Sequence, residues 1–339
     1  MKRGIQRLGF SAITAFFLLI NAAISAQCPS EIVSYWSLDE IGGSNYADQV
    51  SGHNAIAENT PTNLSGIVGN AKYFDGTKRV SVSSHSDYNF SNNQGFTIAL
   101  WAKFTDVTFG TFNKILIGKN EPYATTGAKW WISSQINSGL MVFYVEDANG
   151  AGYEVTAPAI NDNSWHFIVA VRSTSDNTIK LYIDGVLKNS TATVFSGDFS
   201  SIAPIQIGYL NRQSIPEYWF KGALDEIAIY SRALSSTEIN EQWTKGSLGI
   251  GYCDGYAPTI KSEPVLTAAV GQEYTYDVQA SGMPPITYAL DESPSGMTIN
   301  SSTGLITWTP GSINDENFVR IIASNPSYPP DDVQEFNIN

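Results

Sequence analysis

Apolar residues of this chain fall in short runs separated by segments rich in Gly, Asn, Asp and Ser. Phe96–Phe104 and Trp165–Val171 are two such runs, and Ile179–Leu187 contains Asp184-Gly185 between two more. An Asp-Gly pair flanked by apolar residues is a strong signal for a two-residue β-hairpin. Apart from residues 235–243, almost no segment has a helical period. The pattern predicts an all-β protein built from antiparallel strands.

The segment Phe220–Trp243 combines a strand, a turn and a short helix. Strict alternation predicts that Asp225 faces one side of the strand, together with Ala223 and Ile227, and that Glu226 faces the other. Ser235 and Glu238, three residues apart, form a capping-box pattern that predicts a helix of about two turns. Acids on both faces of one strand indicate a position at the rim of a sheet.

This segment resembles the C-terminal signature of laminin-G-like domains, which belong to the concanavalin A-like lectin and glucanase class. The resemblance covers most of residues 32–243, in the family order. Its other motifs are YWSLDE at 35–40, YFDG at 73–76, FTIALWAKF at 96–104, SWHFIVAV at 164–171 and IKLYIDGVL at 179–187. It implies an antiparallel jelly-roll β-sandwich over residues 27–254.

A second β unit is predicted over residues 257–339, after a Gly-rich connector at 246–258. Residues 302–310, STGLITWTP, resemble a repeat of the immunoglobulin-like domains found in bacterial surface proteins. That resemblance implies a smaller immunoglobulin-like β-sandwich that acts mainly as a spacer, with Trp308 in its core.

The first 26 residues have the features of a secretory signal peptide. Lys2, Arg3 and Arg7 precede an apolar run, and Ala26 offers a small residue for cleavage. The run is too short and wrongly flanked for a spanning helix. We therefore expect a secreted or cell-surface protein with no membrane insertion.

The charge balance disfavours nucleic acid as a partner. Without the three basic residues of the signal, 16 basic residues remain against 32 acidic ones. Such an acidic surface repels phosphate backbones and anionic membranes.

Cys28 and Cys253 are the two cysteines of the chain and bracket the laminin-G-like region. The resemblance implies that its first and last strands are neighbours, so that these cysteines could form a disulfide. Two free thiols, or a lipidated Cys28, are the alternatives.

The pattern of acids and histidines does not predict an enzyme. Glycoside hydrolysis needs two carboxylates that flank one bond, and the Glu-x-Asp-x-x-Glu signature of glucanases on this fold is missing from the sequence. Asp225 and Glu226 are predicted to face opposite ways. His53, His85 and His166 are scattered along the sequence and match no hydrolase motif.

The resemblance also implies a structural calcium ion, because many laminin-G-like domains hold one at the sheet rim. Calcium prefers six to eight oxygen ligands. The candidate ligands are Asp48 and Asn54 from one loop, Asp225 from the late strand, and Asp39 and Asp75. Alternatively, these residues form turns and caps.

Carbohydrate binding needs aromatic faces beside polar groups. Adjacent strand residues face opposite ways, so at least one member of each pair, Trp130-Trp131 and Tyr218-Trp219, should leave the core. Tyr123, in a loop before Trp130, is a further candidate for ligand binding. Alternatively, these rings cover a loop or pack against the second domain. The sequence predicts a non-catalytic protein that binds a polysaccharide or a surface glycoconjugate. The rival interpretations are an adhesion module that binds another extracellular protein, and a glycoside hydrolase or lyase.

Overall fold

A computed structural model describes residues 28–105, 113–120, 127–211, 218–255, 257–282, 285–312, 317–326 and 330–339. The predicted signal peptide lies outside these residues. Contacts between residues divide the described chain into two compact units on either side of residue 256. Almost all regular structure is antiparallel strand, which confirms the predicted all-β fold class.

The first unit is a sandwich of two antiparallel sheets. Sheet A has the order β14-β13-β12-β7-β16-β5-β4, with β1 also paired to β16, and sheet B has the order β11-β10-β9-β8-β15-β6-β3-β2. The strands are β1 Ile32–Trp36, β2 Asn45–Tyr46, β3 Ala55–Asn59, β4 Thr62–Ser65, β5 Asn70–Asp75, β6 Arg79–Val82, β7 Phe96–Phe104, β8 Lys114–Lys119, β9 Lys129–Ser134, β10 Met141–Glu146, β11 Gly152–Ala157, β12 Trp165–Ser173, β13 Thr178–Ile183, β14 Val186–Ala192, β15 Ile205–Ile207 and β16 Lys221–Tyr230.

Alternating residues of both sheets form the core between them. Trp130 and Ile132 of β9, for example, meet Leu100 of β7 and Leu224 of β16 in one buried cluster. A second apolar cluster covers the outer face of sheet A, where Tyr252 and the helix α1, Ser236–Ser247, pack on the sheet. Sheet A is therefore buried on both sides.

Local turn and cap chemistry follows the sequence closely. Asp184 and Gly185 both have positive φ, at 54° and 75°, as the hairpin between β13 and β14 requires. Ser235 and Glu238 form the predicted capping box at the start of α1. That helix continues past the predicted end to Ser247, and Lys245 and Gly246 of its last turn are buried.

The predicted alternation in β16 is wrong at Glu226. This residue has a φ of 50°, and the pairing of β16 with β7 is irregular between Asp225 and Ala228. A bulge of this kind adds one residue to the strand and shifts its side-chain pattern. Leu224 and Ile227 consequently point into the core, while Asp225 and Glu226 both lie on the outer side of sheet A.

A disulfide joins Cys28 to Cys253, which confirms the predicted pairing. The two cysteines are 225 residues apart in sequence, and the loop that their disulfide closes contains all strands of the sandwich.

The second unit contains three small antiparallel sheets around its own core. Their orders are β17-β19, β18-β22-β21 and β20-β23-β24. Trp308 lies in this core, as expected, and donates its indole N–H to the carbonyl of Ser295. The strands are β17 Thr259–Ile260, β18 Tyr274–Asp277, β19 Ala280–Ser281, β20 Thr287–Glu292, β21 Thr298–Ile299, β22 Leu305–Trp308, β23 Asn317–Ser324 and β24 Asp332–Ile338.

Candidate functional site

The outer face of sheet B differs from that of sheet A because polar and aromatic side chains occupy it. One row of paired residues crosses the sheet from Tyr144 through Trp131, Gly118 and Gln206 to Ser81. Their strand neighbours point into the core, so this row faces outward. The face carries two groups of stacked rings, each beside an ion pair.

The first group, which we call the Trp131 platform, consists of Trp131, Tyr144, Lys129 and Glu146. The rings of Trp131 and Tyr144 stack with centroids 4.2 Å apart and planes 14° from parallel. Lys129 Nζ lies 2.8 Å from Glu146 Oε1, and the Tyr144 hydroxyl donates to Glu146 Oε2. The platform therefore combines an aromatic pair with charged hydrogen-bonding groups on two adjacent strands.

The second group, the Trp219 platform, consists of Trp219, Tyr209, Arg79 and Glu58. The rings of Tyr209 and Trp219 stack with centroids 5.9 Å apart, and the Arg79 guanidinium lies 4.7 Å from the Trp219 centroid. Arg79 Nη1 also lies 3.6 Å from Glu58 Oε2. Burial raises the pKa of the Tyr209 hydroxyl, which keeps it a neutral hydrogen-bonding group.

Leu210 and Asn211 lie over the sheet between the two platforms. The amide of Asn211 donates to Gln206 Oε1 at 2.8 Å, and Asn120 Nδ2 donates to the Asn211 carbonyl at 2.8 Å. Leu210 packs directly on Gly118: a Cβ atom added at Gly118 would lie only 2.8 Å from Leu210 Cδ1. Strands β9 and β6 are three strand spacings apart, about 14 Å, so the platforms flank a ridge on an extended face.

The structure separates the predicted aromatic residues. Trp130 is 1% exposed and belongs to the core, so its predicted ligand role is wrong. Trp131 and Trp219 are half-buried on the outer face of sheet B, and Tyr218 is half-buried beside Trp219. Tyr123 lies outside the described residues.

Sequence reasoning missed the partners of these tryptophans. Alternation in Met141–Glu146 does place Tyr144 and Glu146 on the outer face, and could have been read as such. The pairing of Tyr144 with Trp131, and of Arg79 with Trp219, depends on strand register and loop path, which the sequence does not show.

Asp48 organises its own loop through both carboxylate oxygens. Oδ1 accepts from the amides of Tyr35 and Val50, each at 3.0 Å, and Oδ2 accepts from Ser51 Oγ and the His53 amide. Asn54 Oδ1 in turn accepts a hydrogen bond from the Asp48 amide. These two predicted calcium ligands thus serve a turn.

Asp39 and Asp225 hold a different loop, residues 66–70. Asp39 Oδ1 accepts from the Asn70 amide at 2.7 Å, and Asp225 Oδ2 accepts from the amides of Ile67 and Val68. The buried ammonium of Lys72 lies beside them and donates to the carbonyls of Leu38 and Glu40. Burial lowers the Lys72 pKa, while Glu40, Asp39 and Asp225 raise it.

Asp75, the fifth predicted calcium ligand, caps a turn at the end of β5. Its Oδ1 accepts from the Thr77 amide and hydroxyl, and Lys78 lies 3.4 Å from Oδ2. Among the described residues, none of the predicted acids belongs to a convergent group of three metal-binding side chains. In this structure the candidate donors hold turns and loops, and beside Asp39 and Asp225 the Lys72 ammonium donates to the carbonyls of Leu38 and Glu40. Calcium stays an untested prediction.

Asp225 and Glu226 form a buried acidic pair. Burial raises the pKa of each carboxyl to about 8, and the charge of Asp225 adds to the effect on Glu226. The Tyr35 hydroxyl donates to both Glu226 oxygens, at 2.8 and 2.7 Å. The prediction that Asp225 and Glu226 face opposite sides of β16 is wrong because of the bulge. Both residues are 0% exposed, so a substrate cannot reach them in this conformation.

Two histidines that are distant in sequence meet in space. His53 Nε2 lies 2.9 Å from Asp87 Oδ2, and His85 Nδ1 lies 3.2 Å from Asp87 Oδ1. His166 is elsewhere and bridges Asp184 and Asp162 through its two ring nitrogens.

Comparison with known families supports the two-domain interpretation. Residues 74–240 match the Laminin_G_3 model, "Concanavalin A-like lectin/glucanases superfamily", and residues 257–329 match the He_PIG model, "Putative Ig domain". The first unit thus has the fold of concanavalin A-like lectins and glucanases. Within that class the first unit is a laminin-G-like domain, and the second unit is an immunoglobulin-like domain.

Solved structures show the same fold at low sequence identity. The binding domain of Paraclostridial Mosquitocidal Protein 1 is 15% identical with a TM-score of 0.52, over 90% of this chain and 75% of that one. Trypanosoma rangeli sialidase is 15% identical with a TM-score of 0.50, over 66% of this chain and 34% of the sialidase.

Domain 4 of AbnA, a GH43 extracellular arabinanase from Geobacillus stearothermophilus solved with arabinotriose, is 22% identical with a TM-score of 0.46. That match covers 62% of this chain and 97% of the domain. No curated protein sequence matches the chain. In the described part of the chain, none of the helices has the length and apolarity that a membrane span requires.

Proposed function

We propose that this is an exported, non-catalytic carbohydrate-binding protein, and that it binds polysaccharide or a surface glycoconjugate on the outer face of sheet B. The observation that carries the proposal is the pair of platforms on that face, centred on Trp131 and Trp219. The intramolecular disulfide agrees with an oxidising, extracellular environment.

The chemistry of each platform suits a sugar. The C–H face of a pyranose or furanose packs on an aromatic ring, while its hydroxyl groups need donors and acceptors nearby. Lys129 and Glu146 offer both at the Trp131 platform, and Arg79 and Glu58 offer both at the Trp219 platform. Strands hold most of these groups, so little ordering is needed on binding, which favours affinity.

A hydrolase is less well supported by the acid geometry. Catalytic carboxylates must line a cleft that admits the substrate and a water molecule. Asp225 and Glu226 are neighbouring acids on β16, and they are buried beneath the loop 66–70 and Tyr35. A protein ligand is the remaining rival. A flat apolar patch would favour a protein ligand, whereas the outer face of sheet B is a mixed polar and aromatic surface.

The test is affinity electrophoresis of the mature protein through gels that contain a panel of soluble polysaccharides. Trp131→Ala and Trp219→Ala should each raise the dissociation constant derived from the retardation by about tenfold or more. Buried aromatic anchors are worth about 2 kcal/mol or more. Tyr73→Ala is the matched control because Tyr73 is a half-buried aromatic residue on sheet A. Retardation that both tryptophan variants retain in full would refute the proposal.

A further inference from the structure

The His53, His85 and Asp87 side chains form a compact group at the surface of the first unit. Their ligand atoms lie within 4.8 Å of one another. The two imidazole rings are 4.0 Å apart between centroids, and the two contacts to Asp87 measure 2.9 and 3.2 Å. Ligand atoms around a tetrahedral zinc ion with bonds of about 2.0–2.1 Å lie about 3.3–3.4 Å apart. Small side-chain shifts would therefore bring this group to zinc geometry.

The backbone on both sides of the group is fixed by the fold. The His53 amide donates to Asp48 Oδ2, and its carbonyl accepts from the buried Trp36 indole at 3.0 Å. His85 and Asp87 belong to a short 3-10 turn whose Tyr88 hydroxyl contacts Ser34 Oγ at 2.8 Å inside the protein. Ligands held in this way lose little freedom on binding an ion, which favours a real site over a chance encounter.

The group is also open to solvent. Asp87 and His85 are 42% and 46% exposed, whereas His53 is 20% exposed. An ion could enter directly and keep at least one exchangeable position, because three protein ligands do not complete a tetrahedron.

We propose that His53, His85 and Asp87 bind one zinc ion. Two imidazoles with one carboxylate are a donor set typical of zinc and of other divalent transition metals, whereas calcium selects oxygen ligands. The ion would replace the present His53–Asp87 and His85–Asp87 contacts, and also the long contact from the Asp87 amide to His85 Nδ1. The site is separate from both platforms of sheet B, and its function does not depend on sugar binding.

The experiment is isothermal titration of zinc chloride into the mature, metal-free protein without a histidine tag. We expect one zinc ion per chain, and no competition from a large excess of calcium. His85→Gln and Asp87→Asn should each weaken zinc binding by at least about tenfold, because even changes behind a ligand cost about 10–100-fold. Cobalt in place of zinc should give visible absorption bands that these two substitutions abolish.

His166→Gln is the matched control, since His166 also contacts two acids but lies outside the group. This variant should bind zinc like the parent. Absence of stoichiometric binding would overturn the proposal. So would binding that His85→Gln and Asp87→Asn leave unchanged, or binding that His166→Gln weakens as much as they do. Circular dichroism of each variant separates loss of the site from loss of the fold.

Discussion

Glu226→Gln should change how the stability of this protein depends on pH. Burial raises the pKa of Glu226 from 4.5 to about 8 in the folded protein. A carboxyl whose pKa is raised by folding binds more protons in the folded state between the two pKa values. The contribution of Glu226 to stability is therefore fully present below the unfolded pKa of 4.5 and is lost as the pH rises toward the folded pKa of about 8.

The magnitude follows from the same shift. One pKa unit corresponds to 1.36 kcal/mol, so a shift of about 3.5 units sets a ceiling of about 5 kcal/mol for this residue. Water penetration and relaxation lower that figure, and we expect about 2–3 kcal/mol. Glutamine removes the charge but keeps an oxygen that accepts from the Tyr35 hydroxyl. The variant should therefore match the parent near pH 4 and be about 2–3 kcal/mol more stable near pH 8.5.

The assay is urea denaturation at pH values from 4 to 9, followed by tryptophan fluorescence. Trp308 is the sole tryptophan beyond residue 256, so the signal reports mainly on the first unit. Glu154→Gln is the control, because Glu154 is an exposed acid in the same unit. The reasoning is refuted if Glu226→Gln gains no stability relative to the parent between pH 4 and 8.5, or if Glu226→Gln and Glu154→Gln have the same pH dependence.

The other perturbations have definite expected outcomes as well. Reducing the Cys28–Cys253 disulfide should lower the free energy of unfolding by up to about 5 kcal/mol in urea melts, given its separation of 225 residues; an unchanged midpoint would contradict this. Excess chelator should lower the melting temperature if the predicted calcium ion binds, and an unchanged value would contradict that prediction. Lys72→Met should also lower the melting temperature, because it leaves the Leu38 and Glu40 carbonyls without their donor. Trp130→Ala should cost about 3–5 kcal/mol in a urea melt. Trp131→Ala should cost less than Trp130→Ala, because Trp131 is only half-buried and its ring pair adds about 0.5–1.5 kcal/mol beyond that burial. Equal costs would refute their different placement.

Local patterns of the sequence predicted most of the fold. Strand alternation, the Asp184-Gly185 turn and the Ser235–Glu238 cap are decided by residues close together in the chain, so each could be inferred directly. The bulge at Glu226 could not, because one residue at positive φ reverses the facing of its neighbours without a Gly or Asn to mark it.

The candidate sites depend on contacts between distant segments. His53 and His85 looked unrelated because only the folded loops bring them to Asp87. The buried Lys72 donates to the Leu38 carbonyl close to Asp39, although nothing in its strand marks it as buried. Adjacency of Trp130 and Trp131 did predict that one ring leaves the core, while the choice between them depended on the register of β9.

Hydrogen–deuterium exchange tests the proposed binding face most directly. The mature protein would be compared with and without the polysaccharide that retards it most strongly in affinity gels. We predict slower exchange in Lys129–Ser134, Met141–Glu146 and Arg79–Val82, which carry both platforms, and no change in Thr178–Ile183 of sheet A. Slower exchange confined to sheet A or to the second unit, or no polysaccharide that binds at all, would contradict the proposal.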